Sequence, residues 1–258
     1  MLGRQPHLHR LTAPLTAVAL ATAAGGPVGV AAASSSVSPR VEAQSLGMTY
    51  TRVSDERAHT GSAVVLRRMA VRAEPTDDSR RVGTVRASTY LGSADSVLVL
   101  GRTRGVDKDW SYVRYPGLGN RTGWVHSDWL GPTSIVHERL VIDRRRMQAT
   151  LYRGRRVLVR ARIGVGASGS PTPAGHGYVR ERLVPSRKNS IYGDLAFGLS
   201  VYSRYRTDWP GGGQVGVHGT NEPELIPGHI SNGCIRLRNA DIRRLGRRLS
   251  IGTPVEIR

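Results

Sequence analysis

The stretch Met147-Gln148-Ala149-Thr150-Leu151-Tyr152-Arg153-Gly154, running on through Arg155 to Val165-Gly166, decides the fold class. Met147, Ala149 and Leu151 alternate with Gln148, Thr150 and Tyr152. After a turn at Arg153-Gly154, the residues Val157, Val159, Ala161, Ile163 and Val165 alternate with Leu158, Arg160, Arg162 and Gly164. A period of two with β-branched residues is the pattern of strands with one buried face, so this segment predicts a strand-turn-strand hairpin.

The same texture extends in both directions. Toward the amino terminus, Met69 to Ala73, Val82 to Val85, Val97 to Leu100, Trp110 to Val113 and Gly123 to Val125 are short apolar runs divided by Gly, Pro and Asp clusters. They predict a small all-β unit over 60–131, with Trp110, Trp124 and Trp129 packing its core and ends. Gly131-Pro132-Thr133 marks a boundary, and a second, mostly β domain follows over 134–258. Gly166 to Gly177 is rich in Gly, Ser and Pro and reads as loop. Near the carboxy terminus Asn239 is placed to cap a short helix whose Ile242, Leu245 and Leu249 share a face. Ser34 to His59 is polar, lacks a sustained period and reads as linker. Residues 1–33 have a basic start, an apolar middle from Leu11 to Ala24 and a small-residue end at Ala31-Ala32-Ala33. That is a secretory signal pattern, and a membrane anchor if the segment is not cleaved.

Composition narrows the function. The chain has 258 residues, 38 Lys+Arg against 19 Asp+Glu, and one cysteine. One cysteine excludes an internal disulfide and an all-thiolate zinc site. Residues 134–258 hold 22 Lys+Arg and 9 Asp+Glu. A basic excess suits nucleic acid, but the expected export and the lack of a Lys/Arg run of recognition length argue against it. Anionic wall polymers, acidic stem-peptide carboxylates and a membrane surface are simpler partners, met through long-range attraction, while the near-exclusive use of Arg, with Lys only at 108 and 188, is the mark of codon bias in a GC-rich genome.

The lone thiol is the most informative residue. Cys234 lies in Ser231-Asn232-Gly233-Cys234-Ile235-Arg236, where polar and Gly residues lead directly to the sulfur. Such a turn can aim successive backbone N–H groups at one point, where an attacked carbonyl would develop negative charge. One such donor is worth about 3 kcal/mol of barrier. A thiol with an ordinary pKa of about 8.5 needs a base. His218 stands 16 residues upstream, in Val215-Gly216-Val217-His218-Gly219-Thr220, at the end of a strand-like run. His229, closer in sequence and following Pro227-Gly228 in an expected loop, is a second candidate.

These residues carry two resemblances. Met69 to Pro75, Trp110 to Val113 and Gly123 to Val125 together resemble a bacterial SH3-like domain, a small barrel often attached to cell-wall enzymes. His218-Gly219-Thr220 through Ser231-Asn232-Gly233-Cys234-Ile235-Arg236-Leu237, with Pro171-Thr172-Pro173-Ala174-Gly175, resembles the L,D-transpeptidases of the YkuD type. The resemblance implies an SH3-like barrel followed by a β-sandwich-like catalytic domain with a short helix after the Cys motif. It implies an exported enzyme that acts on peptidoglycan stem peptides without a cofactor or metal. Cys234 would be the nucleophile and His218 the base, with the carbonyl of Gly219 orienting the imidazole. Ser231, Asn232, Gly233 and Gly219 would shape the oxyanion turn, with the backbone N–H groups of Asn232, Gly233 and Cys234 lining the hole. Arg236 and Thr220 would contact substrate, or Arg236 would brace the loop. The family's usual His before the Gly-Cys pair is Asn232 here, and Asn cannot exchange protons near neutral pH.

Rival readings are a Cys/His peptidase, a metal hydrolase, an L,D-carboxypeptidase, and a non-catalytic wall-binding protein with a degenerate site. In papain-like enzymes the Cys precedes its His by a long interval. Here the His comes first, and only 24 residues follow Cys234. The spacing of His218, His229 and Cys234 matches no zinc motif.

Overall fold

The computed structural model describes residues 38–258 apart from 106, 107, 120, 188, 206, 209 and 210. The expected signal segment, 1–33, lies outside the described residues. Two sheets account for the architecture. The first takes β1 (Thr49–Arg52), β2 (Thr60–Val64), β3 (Met69–Arg72), β4 (Arg81–Val85), β5 (Ser96–Arg104), β6 (Trp110–Arg114), β7 (Thr122–His126) and β8 (Ser134–Val136). Its strands run in the order β4-β3-β7-β6-β5-β2-β8, with β1 added to β5, and curl into an antiparallel barrel. Every apolar run singled out above falls on one of these strands. Trp110 and Trp124 are buried, Trp124 completely, and the Trp124 indole donates to Glu42 Oε2 at 2.8 Å.

Glu42 belongs to a segment expected as linker, and the structure corrects that expectation. Pro39–Ser45 is a helix, α1, and Thr49–Arg52 pairs with β5. Ser38 caps α1 through its hydroxyl, and Pro39 sits in its first turn, where a missing N–H costs nothing. Only Ala43 of α1 is buried, so two turns display too little apolar period to be read. The domain boundary also shifts. Ser134–Val136 pairs with β2 and so belongs to the barrel.

The second sheet takes β9 (Glu138–Asp143), β10 (Gln148–Arg153), β11 (Arg156–Gly166), β12 (Gly175–Leu183), β13 (Ala196–Tyr202), β14 (Gln214–His218), β15 (Gly228–Ser231), β16 (Ile235–Leu237) and β17 (Pro254–Ile257). The order is β10-β9-β17-β12-β13-β14-β16-β11-β15, and β10 also pairs with β11. That last pairing turns the sheet back on itself, so its two halves enclose one core. Leu140, Leu151, Ile163, Leu199, Ile235 and Leu237 are fully buried there. The helix α2 (Asn239–Gly246) closes the core with Ile242 and Leu245.

The hairpin is present, with one change. The β10–β11 register slips between Leu151 and Tyr152, which pair with Val159 and Val157. A one-residue bulge moves every following side chain to the other face. Val157, expected inside, is therefore 40% exposed, while Leu158 packs against the core. The expected loop from Gly166 is shorter too, since β12 begins at Gly175.

The described residues form one compact unit, and the two sheets are locked together within it. Arg180 on β12 forks onto Asp95, with Nε and Nη2 at 2.8 and 2.6 Å from the two carboxylate oxygens. Both side chains are over nine-tenths buried. The Tyr178 hydroxyl donates to Ser96 O at 2.7 Å, and the Gly117 N–H to Ser200 O at 3.0 Å.

Candidate active site

β14 and β16 are parallel neighbours, with Val217 opposite Ile235 and His218 opposite Arg236. Adjacent strands lie about 4.8 Å apart and side chains alternate between faces. This register sets Cys234 beside Gly216 and turns Gly216, His218, Cys234 and Arg236 toward one side. A methyl group added at Gly216 would lie 3.6 Å from Cys234 Sγ and 3.6 Å from His218 Cδ2, so glycine leaves open the gap where thiol and ring meet. The Gly216 N–H points at the sulfur, 3.4 Å away.

The ring is held in one tautomer. His218 Nδ1 lies 2.6 Å from the carbonyl oxygen of Gly219. A carbonyl only accepts, so Nδ1 carries the proton and Nε2 is left as a base. Burial pulls the His218 pKa down to about 4, and the charge of Arg236 works in the same direction against the Gly219 hydrogen bond. Burial pushes the Cys234 thiol up, and the Gly216 N–H and Arg236 only partly offset this. The resting pair is therefore neutral, thiol beside imidazole. A neutral imidazole can take the thiol proton as the sulfur attacks.

The turn before Cys234 is built by its own residues. The Ser231 hydroxyl donates to Cys234 O at 2.6 Å and accepts from the Gly233 N–H at 3.2 Å. Gly233 has φ of 114°, a backbone region that L side chains rarely enter. The Pro171-Thr172-Pro173 loop supports the turn from outside. The Ser170 hydroxyl donates to Asn232 O at 2.9 Å, and Thr172 Oγ1 accepts from the Gly166 N–H at 2.8 Å. With the Gly233 N–H engaged by Ser231, the Asn232 and Cys234 N–H groups are the remaining donors of the expected oxyanion turn.

The other expected residues divide. Arg236 reaches into the cavity, and its Nη1 donates to Glu222 Oε2 at 2.9 Å, bracing the loop after β14. Thr220 is fully buried, and its hydroxyl accepts from the Glu222 N–H, so it shapes that loop from beneath. His229 stands on β15 rather than in a loop, beside Gly166 O and Pro171, and lines a different cavity from the dyad. Asn239 was expected as the cap of α2, but Arg238 holds that position. The Asn239 amide oxygen instead accepts from the Thr220 N–H at 3.1 Å and the Asp194 N–H at 3.3 Å. It thus ties the loop that carries Gly219 to the loop before β13. Tyr192, which sequence patterning did not single out, stands edge-on to His218 with ring centroids 5.1 Å apart. A tyrosine in a loop has no periodic signature, and nothing in the sequence marks this one.

A cavity lined by Tyr192, Ser203, His218, Asn232, Cys234 and Arg236 opens onto the dyad. Fold and site together set a neutral thiol and a neutral imidazole at a cavity of a closed β-sandwich. The sequence model of the YkuD family, the L,D-transpeptidase catalytic domain, matches residues 137–257. A Bacillus subtilis (strain 168) protein named "Putative L,D-transpeptidase YkuD" is 32% identical over 108 residues, 42% of this chain and 58% of that protein. The Escherichia coli (strain K12) "Probable L,D-transpeptidase YbiS" is 31% identical over 136 residues, 47% of this chain and 44% of that protein. The chain thus spans about half the length of these relatives. An L,D-transpeptidase crystal structure from Mycobacterium tuberculosis H37Rv is 14% identical with a TM-score of 0.40, covering 64% of this chain and 90% of that one.

Proposed function

We propose that this chain is an exported peptidoglycan L,D-transpeptidase with Cys234 as nucleophile and His218 as general base. The observation that carries the reading is the Gly219 carbonyl on His218 Nδ1, which leaves Nε2 unprotonated on a ring whose Cδ2 and the Cys234 sulfur each lie 3.6 Å from the same point over Gly216. The thiol proton passes to Nε2 as sulfur bonds the carbonyl carbon of the third residue of a donor tetrapeptide. The oxyanion meets the N–H groups of Asn232 and Cys234. Collapse breaks the C–N bond, and the imidazolium returns its proton to the departing D-alanine amine. An amine of a second stem then bonds the thioester carbon, and the thiol is restored with the amine's proton. Asn232 plays a backbone role here, which is why replacing the usual histidine does not remove the chemistry. The basic surface favours acidic stems and anionic wall polymers, and the barrel is read as SH3-like and wall-facing.

The test is mass spectrometry of the purified chain incubated with a stem tetrapeptide, with and without an amine acceptor. D-alanine release with a cross-linked product, absent in Cys234→Ala, is expected. Release that yields only the shortened peptide would identify a carboxypeptidase. No release from folded protein would leave a wall-binding protein.

A further inference from the structure

His229 takes no part in the dyad, yet it lines a cavity of its own with Arg144, Val165, Ala167, Ser168 and Pro171. The volume is about 470 Å³, against about 170 Å³ at the dyad. The two cavities flank one turn. Ser231 to Cys234 line the dyad cavity, and His229 stands two residues before Ser231 on β15. Two strand residues cover about 7 Å. Strand β15 runs beside β11 with His229 opposite Val165 and Ser231 opposite Gly166, and Ile230 is the extra residue of a bulge. Bulges re-aim neighbouring side chains. The loop from Gly166 to Thr172 forms the partition. It holds the turn through the Ser170 hydroxyl on Asn232 O, and it takes a hydrogen bond from Arg144 Nη1 at Thr172 O, 2.9 Å away.

The charge of this cavity has one sign. Among the described residues that line it there is no carboxylate. Arg144, half-buried in the turn between β9 and β10, pairs with no carboxylate among the described residues, and its side-chain hydrogen bond goes to Thr172 O. Its Nε is enclosed, which leaves the Nη2 end for a ligand. A guanidinium partly withdrawn from water without a counter-charge is a standing cost that an anion removes, and its planar fork fits a carboxylate. His229 Nδ1 lies 3.2 Å from Gly166 O, so that nitrogen carries a proton and Nε2 remains without a partner among the described residues. An anion beside the ring favours its protonated form. The exposed Ser168 hydroxyl adds a neutral donor.

We propose that this cavity binds a carboxylate of the donor stem, carried upstream of the residue that Cys234 attacks, with Arg144 forking onto it and His229 and Ser168 closing around it. The inference rests on the transpeptidase reading and adds a specificity site to it. The attacked carbonyl belongs to the third residue, so two residues precede it. An extended peptide covers about 7 Å over two residues, the same reach as from Ser231 back to His229. The volume suits a side group with a length of backbone rather than a bare ion, and Val165 and Pro171 offer apolar surface to its aliphatic atoms. The two arginines thereby divide their work: Arg236 braces the loop after β14 through Glu222, and Arg144 reads a charge on the substrate.

The experiment uses the full chain and two donor tetrapeptides that differ at one group, a free carboxylate or its amide on the residue before the attacked one. D-alanine release gives KM for each, and the ratio of the two values is the readout. The parent chain is expected to favour the free acid by ~10-fold or more, as one charged hydrogen bond implies. Arg144→Gln and His229→Gln are each expected to bring the ratio toward one. His229 is exposed, so its replacement does not threaten folding and decides the matter if Arg144→Gln fails to fold. A parent ratio near one overturns the assignment. So does a preference that persists in the folded variants, which would trace it to the basic surface at large. If the parent chain releases D-alanine from neither peptide, the transpeptidase reading itself fails and the cavity assignment falls with it.

Discussion

His218 is neutral in the folded protein at any pH above about 4, whereas in an unfolded chain it takes up a proton near 6.5. Between those values the unfolded state binds more protons, so stability falls as pH drops through that window. A shift of this size in a buried group corresponds to roughly 3 kcal/mol at the acid end. Urea denaturation between pH 7 and pH 4 should show this loss, and His218→Gln should remove most of it. Parallel pH profiles for the two proteins would contradict the buried, neutral imidazole. The raised thiol acts at the other end. The unfolded chain loses the Cys234 proton first, so the thiol contributes stability that fades as pH rises past its ordinary value. At this scale much was legible. One thiol in the whole chain, preceded by Gly and followed by Ile-Arg, stands out against any background, and so does a His closing a strand. Tyr192 did not stand out. Its significance is a ring contact with His218, which exists only after folding.

Among the elements, the loop after β14 matters most, because its Gly219 carbonyl sets the His218 tautomer. Asn239 secures that loop through the Thr220 N–H. A methyl added at Gly219 would run into the Asn239 amide oxygen and lie 3.0 Å from Gly193 Cα, so the packing there admits no side chain. Asn239→Ala removes two hydrogen bonds and is expected to cost about 1–2 kcal/mol of stability and to slow acylation of Cys234. Asn239→Asp keeps the accepting oxygen and should restore most of the rate. A rate equally low in both would show that the clasp does not act through the acceptor. Strand existence was readable wherever β-branched residues alternated, as in β5, β6 and β11. Strands β12 and β13 were not, because Gly175, Gly177 and Gly198 interrupt their pattern and bulges break their period. Helix α1 was hidden by its brevity, and the role of Asn239 by its place at a helix start, where capping is the local expectation.

Across the whole molecule, the Asp95–Arg180 pair joins barrel and sandwich through a fully paired fork. Removing one partner leaves a buried charge alone, so Asp95→Ala is expected to destabilise by about 3–5 kcal/mol. Stability within about 0.5 kcal/mol of the parent would show that the pair is dispensable. Nothing in the sequence couples Asp95 to Arg180. They lie 85 residues apart and meet only when the two sheets dock. The two-part organisation was legible from the change of texture at Gly131-Pro132, but the interlock was not, since each half reads as self-sufficient.

Whether Cys234 is a working nucleophile served by His218 is tested by intact-mass measurement of the folded protein after exposure to a carbapenem. A single adduct is expected on the parent chain, mapped to Cys234, with none on Cys234→Ala and much slower labelling of His218→Gln. An unlabelled parent chain, or an adduct that survives in Cys234→Ala, would contradict that role.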